Sequence, residues 1–120
     1  MTEGGPAVDP EALDRLLDMT GGDPEFLGEL IDTFLEDGTA QLDALRSALE
    51  SGDADEAVRP AHSLKSNSAS MGADRLADLA RALETDARAG AVADGPARVE
   101  AATTEFELVR TALLAIRQAP

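Results

Sequence analysis

The chain has a single histidine, His62, and a single lysine, Lys65; the other nine basic residues are arginines. Three residues apart on a helix, the two side chains are surface neighbours. With about 100° per residue and Ala57 set to zero, Ala61, Leu64, Ser68 and Met71 fall within about 40° of zero and form a buried stripe. On the same wheel His62 falls at about 140°, Ala69 at about 120°, Ser66 at about 180° and Arg59 at about 200°, all on the solvent side. Lys65, at about 80°, stands on the flank between the imidazole and the core. Ser66 and Ala69 are small, so a bulky partner has room to approach the ring. A neutral imidazole, with a reference pKa of about 6.5, is a nucleophile toward phosphorus near neutral pH. A neighbouring ammonium offsets part of the negative charge of a phosphoryl group. At ~4 Å that is worth about 1 kcal/mol in water and about 4 at an effective dielectric of 20. Such help assists a transfer whose main machinery lies elsewhere and does not replace that machinery.

Other chemistries fit these residues poorly. With no second histidine and no cysteine, the residues for a metal centre, a thiolate nucleophile or a disulfide scaffold are missing. A Ser-His-Asp hydrolase needs a pocket and an oxyanion hole, which a narrow Ala/Leu bundle rarely supplies. The glycine pairs at 4–5 and 21–22 lack the strand–loop–helix setting of a phosphate-cradling loop. The chain therefore reads as a non-enzyme without its own ATP or kinase site, and needing no cofactor. A lone exposed histidine is most often only a surface residue, and that plain alternative stands at this level.

The elements that must position these residues are helical. Alanine and leucine dominate and no stretch alternates cleanly enough for a strand. Residues 1–8, with two glycines and a proline, read as a flexible tail, and 9–118 as one domain. Asp9-Pro10 and Asp23-Pro24 each signal a helix start. The first helix is short and stops at Gly21-Gly22. The second runs to about Glu50 with Leu27, Ile31, Phe34, Leu42, Leu45 and Leu49 on its apolar side, and Gly38 is its one possible bend. The third opens with a capping-box pattern, Asp53 and Glu56, and ends near Met71-Gly72. Pro60 lies inside it and is expected to bend it before His62. This either exposes the Glu56 carbonyl or relieves packing against the second helix. The fourth helix uses Leu76, Leu79, Ala80 and Leu83 and ends near Ala89-Gly90. The fifth uses Val99, Ala102, Phe106, Val109, Leu113 and Ile116. Long amphipathic helices with short connections predict an all-α fold: an antiparallel four-helix bundle with a short additional N-terminal helix.

The formal net charge of −14 over 120 residues disfavours nucleic acid and anionic membrane surfaces as partners. It also favours a monomer through self-repulsion. No apolar run approaches the roughly 20 residues of a membrane span, and the N-terminus has no signal-peptide pattern, so the expected location is the cytoplasm. The chain reads as free-standing.

The segment AHSLKSNSASMGADRLADLARALE, residues 61–84, resembles the histidine-containing phosphotransfer (HPt) domain of multistep two-component phosphorelays. The matching positions are His62, Leu64, Lys65, Ser68, Ala69, Gly72, Leu76, Leu79, Leu83 and Glu84. Upstream, GGDPEFLGELIDTFLED is similar to the family's second helix, so the likeness runs from about Asp9 to Arg117. The resemblance implies that His62 takes a phosphoryl group from a receiver-domain aspartate and passes it to a second response-regulator receiver. It implies receiver domains and a hybrid histidine kinase as partners, with Mg²⁺ belonging to the receiver. Lys65 is then the phosphoryl's charge partner, and Arg59, Ser66, Ala69, Glu84 and Arg88 are partner-docking residues. Glu84 and Arg88 are expected to project from the fourth helix level with His62. One departure is Ser66, where the family usually has glycine directly after the lysine; its hydroxyl can donate to a phosphoryl oxygen. The alternative from a different class is a helical docking module for a receiver or kinase that is never phosphorylated.

Overall fold

The two Asp-Pro signals act as expected from their chemistry. In a computed structural model, which describes residues 7–117, α1 spans Pro10–Met19 and α2 spans Pro24–Glu50. Asp9 and Asp23 each accept the amide two residues on, at 3.0 Å, and each proline occupies the first turn. Helix α3 spans Ala54–Ser70, α4 Asp74–Arg88 and α5 Gly95–Arg117. Among the described residues there are five helices and no strand. No described helix is long and apolar enough to cross a membrane.

Asp53 caps α3 by accepting the Glu56 amide at 3.1 Å, but the capping box is only half made. The Asp53 amide donates to the Ala48 carbonyl at 2.8 Å, closing the end of α2, so no donor is left for a returning Glu56 carboxylate. The α3–α4 turn depends on Gly72, whose φ of +76° is open to glycine at no steric cost. Its carbonyl accepts the Asp9 amide at 2.8 Å, which fixes the start of α1 against this turn.

Helix α2 packs on α3 and α5, α3 on α4, and α4 on α5, while α1 lies lightly on α2. The enclosed core draws on Ile31, Phe34 and Leu45 of α2, Ala57, Ala61 and Leu64 of α3, Leu76, Ala80 and Leu83 of α4, and Val99, Phe106 and Leu113 of α5. Leu79 and Ile116 depart from the expected pattern. Leu79 is half-buried against the edge of the core, and Ile116, one residue from the end of α5, is exposed. The tail expected over residues 1–8 does not extend to Val8. Residues 1–6 lie outside the described residues, but Val8 is 4% exposed and belongs to the core. Residue 118, the expected domain end, also lies outside them.

Gly38 does not break α2. A Cβ there would stand 2.5 Å from Cε1 and 2.9 Å from Cζ of Phe106, so the glycine is a seat for the ring. Pro60 likewise leaves α3 unbroken. It lines a cleft with Ala44, Ser47 and Ala48 of α2 and Glu56 of its own helix, which leaves both expected effects of the proline open.

Candidate functional site

His62 sits in the middle of α3 with its side chain 55% exposed. Arg59, Ser66 and Ala69 are exposed as well. The four positions step along α3 by three, four and three residues, so they share one face. Ser66 contributes its carbonyl to the Ser70 hydroxyl at 3.1 Å, and its own hydroxyl makes no hydrogen bond among the described residues.

The imidazole is held from below. Its Nδ1 lies 3.0 Å from Oε2 of Glu84 on α4. Glu84 was expected to project as a docking residue, and the structure corrects this. Its side chain is only 8% exposed, because α4 turns the face carrying Ala80, Leu83 and Ala87 inward and brings Glu84 in with them. Two cations meet the carboxylate there. Lys65 Nζ stands 2.8 Å from Oε1 as an ion pair, and Arg88 donates to Oε2 from Nε at 3.0 Å and from Nη2 at 2.8 Å. Lys65 first and Arg88 next pull the Glu84 pKa down from 4.5 to about 2, against the opposing effect of burial.

The tautomer follows from this charge state. An ionised carboxylate only accepts, so Nδ1 of a neutral ring must carry the hydrogen and donate it to Glu84. Nε2 then keeps its lone pair on the exposed side. The site is an oriented imidazole on an exposed face of α3, its Nδ1 on a carboxylate that two cations share. Lys65, the expected charge partner of an incoming phosphoryl group, has its ammonium on Glu84. No group of three or more His, Asp or Glu among the described residues has a metal-holding arrangement.

The carboxylate beneath His62 is the component that sequence reasoning misplaced. Its signal was the 76–80–83–87 stripe of α4, whose inward arc reaches position 84. A carboxylate on that arc, level with the only histidine, is a natural second residue of the site.

A family model described as the Hpt domain matches residues 29–119. Among solved structures, histidine-containing phosphotransfer protein B (HptB) from Pseudomonas aeruginosa PAO1 is similar. Its TM-score is 0.88 at 35% sequence identity, over 96% of this chain and 97% of that chain. A search of curated proteins returned no match.

Proposed function

The chain belongs to the Hpt domain family, and from that premise we propose that His62 is the phosphoryl-carrying residue of a phosphorelay, loaded and unloaded at Nε2. Family membership gives the general role, phosphotransfer within a two-component relay by a carrier rather than a kinase. The observation that carries the residue-level reading is the His62–Glu84 contact, which orients the ring and leaves Nε2 as the exposed nucleophilic nitrogen.

In the forward step the Nε2 lone pair forms a bond to phosphorus of a receiver's aspartyl phosphate. The phosphorus–oxygen bond to the aspartate breaks, and the electron pair leaves with the receiver's carboxylate. The imidazole becomes a phosphoimidazolium, whose positive charge is met by Glu84 through the Nδ1 hydrogen. Transfer to a second receiver reverses these bond changes. In-line geometry and Mg²⁺ come from the receiver, which is why an open surface suffices on this chain. The ring of contacts among α2, α3, α4 and α5, joined by short connections, supports an antiparallel four-helix bundle. We also propose a cytoplasmic monomer that serves a hybrid histidine kinase and response-regulator receivers, with Arg59, Ser66 and Ala69 in the docking face.

The test is transfer from a purified receiver domain, charged with a small-molecule phosphodonor and Mg²⁺, read by intact mass beside a His62→Gln variant. The expected result is one added phosphoryl group that is acid-labile, alkali-stable and absent from the variant. No gain across a broad receiver panel, with helical content intact, would sink the carrier reading in favour of a docking module.

A further inference from the structure

Among the described residues, eight of the ten basic side chains stand within ion-pair distance of a carboxylate; Arg15 and Arg59 do not. In a chain with 24 acidic residues an unpaired arginine beside the functional histidine calls for a reason. Asp55 and Glu56 precede Arg59 by four and three residues, the spacing at which helix charges pair, yet neither engages it. Arg15 lies away on α1. Arg59 lies on α3 one turn before His62, on the same exposed face.

We propose that Arg59 is the cation that binds the phosphoryl group once it is on His62, while Lys65 and Arg88 stay on Glu84. The proposal deepens the phosphocarrier reading and rests on it. Three arguments converge. First, Arg59 and His62 stand three residues apart on one exposed face of α3, the spacing at which two long helix side chains can meet. Second, drawing Lys65 or Arg88 toward the phosphoryl would strip counter-charge from a buried carboxylate, which is costly. Among the described residues Arg59 has no such bond to give up. Third, a guanidinium presents parallel N–H donors that match two phosphoryl oxygens, and it keeps its charge throughout the physiological range. The division of labour is then clear. Lys65 and Arg88 hold Glu84, Glu84 holds the ring, and Arg59 meets the charge that arrives.

The experiment uses the full chain, phosphorylated through a charged receiver domain, in four forms: unaltered, Arg59→Gln, Arg59→Lys and Lys65→Gln. The phosphohistidine ³¹P chemical shift is followed against pH. A cation in contact with the phosphoryl favours its dianion, so removing that cation raises the titration midpoint. Arg59→Gln is expected to raise it by about 0.5 to 1 pH unit. Arg59→Lys should fall between, and Lys65→Gln should move it less than Arg59→Gln. A midpoint unchanged in Arg59→Gln, or one moved more by Lys65→Gln, overturns the assignment while leaving the carrier reading in place. An unaltered chain that takes no phosphoryl group on His62 overturns the carrier reading itself, and the Arg59 assignment with it.

Discussion

On the proposed carrier reading, Glu84 acts on the phosphoryl group only through the imidazole, and that sets what its removal should do. Glu84→Gln keeps an oxygen that can accept the Nδ1 hydrogen but loses the charge that meets the phosphoimidazolium. A hydrogen bond to a charged group is worth about 1.5–3 kcal/mol, which corresponds to about a 10- to 100-fold slower transfer. Rapid-quench kinetics with a charged receiver would measure it. A rate within twofold of the unaltered chain would show that Glu84 serves only packing. At this scale the sequence was informative where identity was scarce: a single histidine and a single lysine at helical spacing leave little to search. It was uninformative about Glu84, one of 24 acidic residues. What singles it out is the rotation of α4 about its axis, and that rotation is set by packing against α3 and α5.

Helix boundaries were legible because they rest on local chemistry, an aspartate cap followed by proline at the first turn, or a glycine that alone fits a positive φ. Contacts between helices were not, and Gly38 shows why: nothing near it in the sequence points to Phe106, 68 residues away. Its substitution sets two effects against each other. Alanine for glycine in a helix interior gains about 1 kcal/mol of propensity. Overpacking costs about 1–3 kcal/mol, and the ring has little freedom to retreat. Phe34 stands 6.0 Å from it between centroids, and the Arg110 guanidinium lies 5.3 Å above it. The clash should win, so Gly38→Ala is expected to be about 1 kcal/mol less stable in urea unfolding; a more stable variant would show that the seat is loose. Ser68 gives the opposite sign. It is fully buried on α3 and its hydroxyl has no hydrogen-bond partner among the described residues. A buried unpaired polar group costs about 1–3 kcal/mol, so Ser68→Ala should raise stability by about 1 kcal/mol in the same assay. Unchanged or lower stability would mean that the hydroxyl is satisfied in solution.

Across the whole molecule, stability should pass through a maximum in mild acid. Glu105 is buried at 6% exposure, and desolvation pushes its carboxyl above 4.5, with Arg75 at 3.9 Å only partly opposing. Its charged form is disfavoured in the fold, so the fold gains stability as pH falls from neutral through that raised value. The net charge of −14 shrinks over the same interval, relieving self-repulsion in the folded state. Glu84 has the reverse sign. Its folded pKa of about 2 lies below the ordinary 4.5, so its contribution is complete above 4.5 and is lost as pH falls toward 2. The two carboxyls therefore shape opposite limbs of one curve, and thermal melts from pH 7 to pH 2 would trace it. Glu105→Gln should raise the melting temperature at pH 7 and flatten the neutral limb. Glu84→Gln should lower it above pH 4.5 and flatten the acid limb, because the variant has no carboxylate left to protonate. If both variants instead shift the curve uniformly without changing its shape, charge at these two sites does not govern the pH response. Net charge would then carry it alone, and 0.5 M salt should flatten the neutral limb in the unaltered chain as fully as Glu105→Gln was expected to do.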